Sequence, residues 1–201
     1  MRHGEPVLSG IRKQPVTSAT IEIGLTNIAG DAQADLRAHG GPEKAIFAYP
    51  IEHLQNWTEE LRPASPFSPG SIGDNLTIRG LDETQVRIGD VWSWGDAVVQ
   101  ICQPRYPCYK LAMATGFPRI VKRFMQTGRS GWYIRVLQEG SAPTDAPIQL
   151  MQADPAGVTV REAAMAVFGQ YDNDRRLEIA AHPALAQSWR NHLLNLTTQP
   201  Q

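Results

Sequence analysis

The chain has 201 residues, 42% of them apolar and 19% charged, and 19 Lys and Arg against 20 Asp and Glu leave a formal charge of −1. A chain of this size holds one good core plus a small appendage, and its balance of charge excludes a bulk polyanion binder, so any anion site is local. There is no run of eighteen apolar residues, no apolar stretch in MRHGEPVLSG to make a secretory signal, and only two cysteines, which predicts a reducing cytoplasmic setting without membrane or nucleic-acid partners.

In chain order, residues 7–16 read as a short first strand broken by Gly10 and Pro15. Residues 17–25 (TSATIEIGL) alternate Ile21, Ile23 and Leu25 with polar residues, the period-2 pattern of a half-buried strand. A Gly30-Asp31 turn leads into DAQADLRAHGGPEKAIFAYP, where Asp31, Asp35, Arg37, His39 and Lys44 crowd around Gly40-Gly41-Pro42 ahead of a strand over 45–49. Two adjacent glycines let backbone N–H groups approach an anion, with His39 and Lys44 supplying protons or charge; the same residues also fit a hairpin-like turn whose charges are solvated. Residues 51–61 carry a helical apolar stripe (positions 51, 54, 57 and 61) stopped by Pro63, and the Pro/Ser loop 62–70 leads to a short strand over 76–78, punctuated by Gly73 and Gly80. The amide of Asn75 suits either a ligand or the fixing of its own loop.

Residues 84–88 (TQVRI) and 91–103 (VWSWGDAVVQICQ) read as strands, the second folded into a hairpin at Gly95-Asp96, with Trp92 and Trp94 as packing for a barrel. The stretch 98–111, VVQICQPRYPCYKL, is the chemically richest. Pro104 and Pro107 fix φ and push the residue before each toward extended geometry, so Cys108 is presented from a stiffened loop. Arg105 and Lys110 place positive charge near that thiol, which favours the thiolate that attacks electrophiles and ligates soft metals. Cys102, inside the apolar run, reads as a small buried hydrophobe. Phe117-Pro118 opens a helix (RIVKRFMQTG) that Gly128 stops, and strands over 131–137 and 147–151 follow, separated by the turn EGSAPTDA. After Asp154-Pro155, the capping box Thr159-x-x-Glu162 starts the first of three helices, the others lying over 174–181 and 185–196. Short strands, tight turns and inserted helices predict a mainly β fold. Its barrel spans residues 1–153, and a small three-helix C-terminal domain over 154–201 packs on it.

In ordered succession, GDAQADLRAHGGPEKAIFAYP, GDNLTIRGL, IGDVWSWGDAVVQICQPRYPCYKL and TGRSGWYIRVLQEG resemble the MOSC-domain proteins (molybdenum cofactor sulfurase C-terminal domain), and among them the YiiM-like branch. The resemblance implies a pyruvate-kinase-barrel-like fold and binding of the molybdenum cofactor (molybdopterin), with pyridoxal phosphate only a family-level association. It implies Cys108 as the residue that ligates molybdenum or carries sulfur. Arg37, Gly40, Gly41, Lys44, Gly73, Asn75 and Arg105 would hold the cofactor, and His39 and Lys110 would assist Cys108 in catalysis. Broader relatives carry an Arg where this chain has Gly73, and the YiiM-like branch usually has Glu at the position of Asp74, so that Arg's cofactor contact does not carry over. Two functional readings follow, beside a blander one in which the barrel interacts with partners and its thiol is incidental. One is an oxidoreductase that reduces N-hydroxylated, hydroxylaminopurine-type small molecules with electrons from a separate donor protein. The other is a sulfur carrier, in which Cys108 receives a persulfide from a cysteine desulfurase for delivery to a metal–sulfur cluster or cofactor.

Overall fold

The computed structural model describes residues 10–31 and 40–198. Its centre is strand β2 (Ile46–Pro50), in which all five residues are buried. Successive strand side chains point to opposite faces, so Ile46 and Ala48 enter one hydrophobic cluster while Phe47 and Tyr49 enter another. The strand pairs in parallel with β3 (Leu76–Ile78) and antiparallel with β6 (Trp132–Gln138). Strand β5 (Ala97–Pro104) lies against β6 and forms a hairpin with β4 (Val91–Trp94), to which β8 (Gln149–Gln152) adds at the edge. The resulting order, β3-β2-β6-β5-β4-β8, is a mixed sheet curled into a half-barrel, and β1 (Thr20–Ile23) with β7 (Gly140–Pro143) makes a separate antiparallel pair.

Helices cover both faces. The Phe47 and Tyr49 face packs against α1 (Ile51–Leu61), α2 (Tyr109–Thr115) and α3 (Ile120–Thr127) through Leu54, Trp57, Leu111, Ile120 and Phe124. The opposite face, with Val99, Ile101, Trp132 and Ile134, shares one core with α4 (Val160–Val167), α5 (Asn173–Ala180) and α6 (Gln187–Thr197) through Val160, Ile179, Trp189 and Leu193. The capping box is present, Glu162 N donating to Thr159 Oγ1 at 3.1 Å while Thr159 N donates to Glu162 Oε2 at 3.0 Å. Trp92 and Trp94 are buried packing residues. Among the described residues no helix is long and apolar enough to cross a membrane.

Four elements differ from expectation. Residues 10–16, the described part of the expected first strand, form no strand, and the first strand is β1. Residues 84–88 form a turn with a single bridge from Arg87 to Thr159, because the Asp82 carboxylate accepts from both the backbone and hydroxyl of Thr84 and offers the chain an alternative to a ladder. The segment EGSAPTDA contains β7, whose partner β1 is more than a hundred residues away and leaves no local signal. Residues 109–115 are helical, ended by Gly116 in the left-handed region at φ 77°.

Gly131, just before β6, has φ +63°, and a Cβ there would stand 2.5 Å from the Ala48 carbonyl and 2.6 Å from the Tyr49 ring. Gly131→Ala is expected to destabilise the fold by about 3 kcal/mol or more, since backbone strain and a clash with β2 add. Thermal unfolding measures it, and a loss within ~0.5 kcal/mol would contradict the tight β2–β6 approach.

Candidate functional site

The apolar run of β5 ends at Pro104, and Arg105 then turns inward. Its backbone N–H donates to Gly131 O at 3.3 Å, and its side chain is only 6% exposed. The guanidinium donates from Nη1 to Ile72 O at 2.7 Å and lies 4.6 Å above the Phe47 ring. It ion-pairs with no carboxylate of the described residues. A carbonyl and a π face replace part of its lost hydration.

The Phe47 ring stands 5.2 Å from that of Tyr133 in β6. The Tyr133 phenol is raised above its ordinary range chiefly by burial, held down by Arg105 and raised further by the thiols of Cys108 and Cys102. Arg105 and both thiols therefore bear on one phenol. Cys108 is half-buried, with extended backbone (φ −117°, ψ 168°) as the N-cap of α2. Lys110 is half-exposed in the same first turn. Cys102 is buried, donates from Sγ to Glu43 O at 3.2 Å, and burial pushes its thiol up to about 12. It is the inert thiol that its place in an apolar run implied.

The twin-glycine turn sits beside β5. Gly41 has φ +91° with open space where a Cβ would be, and a 3-10 turn, Pro42–Lys44, follows it. The ammonium of Lys44 is lowered mainly by burial, offset by Glu43 and Cys102. Glu43, which the sequence reading passed over, holds this turn in place. Its Oε1 pairs with Arg135 Nη2 at 2.9 Å, its Oε2 accepts from Gln187 N at 3.0 Å, and its carbonyl accepts from Gln103 Nε2 at 2.8 Å. An acidic residue just after Gly-Gly-Pro, with Gln103 and Arg135 in apolar strands, was the available signal.

Asn75 serves the fold. Its Oδ1 accepts from Phe47 N at 3.0 Å, its backbone N donates to Phe47 O at 2.8 Å, and its Nδ2 donates to Asp31 Oδ2 at 2.8 Å. Asp31 in turn pairs with Lys13. Both ends of the amide are thus engaged in tying the 70–75 loop to β2. At Gly73 (φ +94°) a Cβ would come within 2.9 Å of Ile11 Cγ1, so the N-terminal segment occupies the space a larger residue would need. The Asp74 carboxylate accepts from Gly70 N at 3.0 Å and Thr77 Oγ1 at 2.6 Å. Arg37 and His39 lie outside the described residues, and Gly40 is half-buried at their boundary.

A buried cation without a carboxylate partner among the described residues, a second half-buried cation and a half-buried thiol fit an anionic, soft-metal cofactor. Among the described residues no group of three or more His, Cys, Asp or Glu is placed to hold a metal.

The sequence matches the MOSC domain over residues 35–153. Uncharacterized protein YflK of Bacillus subtilis (strain 168) is 42% identical over 188 residues, 93% of this chain and 84% of that protein. The crystal structure of YiiM from Geobacillus stearothermophilus matches with a TM-score of 0.82 at 36% identity, over 94% of this chain and 89% of that one. A protein named Reductase from Gibberella moniliformis (strain M3125 / FGSC 7600) is 34% identical over 152 residues, 74% of this chain and 27% of its own length. With the half-barrel and the PRYPCYK loop on its rim, these matches place the chain in the MOSC-domain family, among its YiiM-like members, a family associated with the molybdenum cofactor.

Proposed function

We propose that this protein is a molybdenum-dependent oxidoreductase that reduces N-hydroxylated, hydroxylaminopurine-type compounds, with Cys108 as the protein's thiolate ligand to the metal. The observation that carries the reading is the Arg105 guanidinium, buried without a carboxylate partner among the described residues and three positions before the half-buried Cys108 thiol. The longer relative named Reductase supports the reaction class.

Bound here, the molybdenum cofactor would supply a two-electron redox change and an acceptor for oxygen. Arg105 would bind its anionic oxygen through a charge-assisted hydrogen bond, strengthened because the interior screens little. The open backbone at Gly41 would let the ligand approach closely. The net reaction breaks the N–O bond: hydroxylamine plus two electrons and two protons yields amine and water. Lys44, lowered by burial, gives up its proton more readily than an ordinary lysine and is a proton source, as are Lys110 and His39. The electrons would come from a separate donor protein.

Arg105→Met is expected to lower bound pterin and molybdenum at least tenfold while the melting temperature stays within about 5 °C, because deleting a buried cation removes its desolvation cost as well. Metal analysis and oxidised-pterin fluorescence on reconstituted protein read this out; unchanged loading would remove the anion site. At pH 8 a thiol reagent is expected to label Cys108 and spare Cys102. Folded Cys102 keeps its proton to about 12 against an ordinary 9.0, so its stabilising effect is full below pH 9 and fades as pH rises toward 12. Alkaline unfolding of Cys102→Ala should show the flatter slope. Cys108→Ala should abolish reduction of hydroxylaminopurine, and Cys102→Ala should leave it nearly intact. If reconstituted protein reduces nothing while Cys108 accepts labelled sulfur from a cysteine desulfurase, the persulfide-carrier reading replaces this one.

A further inference from the structure

Tyr106, two residues before Cys108, is 46% exposed although it lies between Pro104 and Pro107, both buried. Its ring is fixed by three others, at 5.4 Å from His192, 5.9 Å from Phe168 and 6.3 Å from Trp189. All three belong to the C-terminal helical segment. Trp189 is itself immobilised, buried and donating from Nε1 to Ala163 O at 3.2 Å. Backbone and ring are therefore both locked while nearly half of the side chain faces solvent, so a ligand pays little ordering cost to use it.

The start of α6 is bonded to the end of β5 and to Glu43 of the glycine turn through three successive residues. Ala186 N donates to Cys102 O at 2.9 Å, Gln187 N to Glu43 Oε2 at 3.0 Å and Ser188 Oγ to Gln103 Oε1 at 3.2 Å. The helix that clamps Tyr106 is thus registered against the same strand end and the same glycine turn that carry the candidate site. Both solvent-facing rings next to the thiol loop, Tyr106 and His192, offer π surface; an exposed, rigid aromatic face of this kind recognises a flat conjugated ring by offset stacking.

We propose that Tyr106, clamped by Phe168, Trp189 and His192, is the stacking face of a subsite for a planar conjugated ring beside Cys108, so that the C-terminal helices select what reaches the thiol. This rests on the assignment of Cys108 as the reactive centre, and its test reads binding instead of turnover.

The probes are 6-hydroxylaminopurine, which is planar, and acetamidoxime, which carries the same N–O group without a ring. Each is titrated into the full-length protein by saturation-transfer NMR and calorimetry, for wild type, Tyr106→Phe and Tyr106→Leu, with thermal unfolding alongside. The expected result is that Tyr106→Leu weakens the purine about tenfold and leaves acetamidoxime within about twofold, while Tyr106→Phe binds both as wild type does. Leucine preserves the apolar contact with Phe168 and Trp189, so a variant that melts like wild type isolates the loss of the flat face. Undiminished purine binding by Tyr106→Leu, or an equal loss for both probes, would overturn the subsite. A protein that binds purine through Tyr106 yet reduces no N-hydroxylated compound would overturn the reductase reading and leave the subsite standing.

Discussion

A guanidinium held inside the protein without a carboxylate among the described residues is the constraint on which this architecture turns. Burying a charge costs several kcal/mol even after relaxation, and the Ile72 carbonyl and Phe47 ring recover only part of it. In return, Arg105 joins three parts of the chain that have no sequence proximity: the exit of β5, the loop that precedes β3, and β2. Asn75 makes a second tie between the same loop and β2 through its backbone and side chain. Position 105 therefore sits where β5, β2 and the loop before β3 are tied together.

The two thiols show how position divides one chemistry. They are six residues apart, yet Cys102 is buried in β5 with its Sγ donating to the Glu43 and Tyr133 carbonyls and its proton held to about 12, while Cys108 stands half-exposed after two prolines have carried the chain out of the sheet. No change of side chain is needed to make one inert and the other available. The break from strand to proline-stiffened loop is sufficient.

Much of this was readable in advance, for physical reasons that differ by element. Period-2 alternation marked β1, the Gly95-Asp96 hairpin turn marked β4 and β5, the capping box marked α4, and Gly128 marked the end of α3, because each is a local requirement written in adjacent residues. Strand β7 was hidden because its pairing is with β1, far away in the chain, and residues 84–88 misled because the Asp82 side chain captured the backbone. The same distinction governs the site. Cys108 and Arg105 announce themselves by residue type beside two prolines, but which cation would be buried without a carboxylate depends on Phe47 and Ile72, which no spacing connects to it. Asn75 had two readings in the sequence, and its bonds to Phe47 and Asp31 engage both ends of the amide in the fold.

The junction between Glu43, Gln103 and the first turn of α6 has a consequence for how such proteins diverge. A helical tail merely tethered to a barrel is an exchangeable cassette, replaceable by recombination at the linker. Here three successive residues at the start of the tail's last helix, Ala186, Gln187 and Ser188, are hydrogen-bonded to Cys102, Glu43 and Gln103, so a transplanted tail would arrive mismatched unless positions 43 and 103 travelled with it. The start of the last helix and positions 43, 102 and 103 therefore form one inheritable unit.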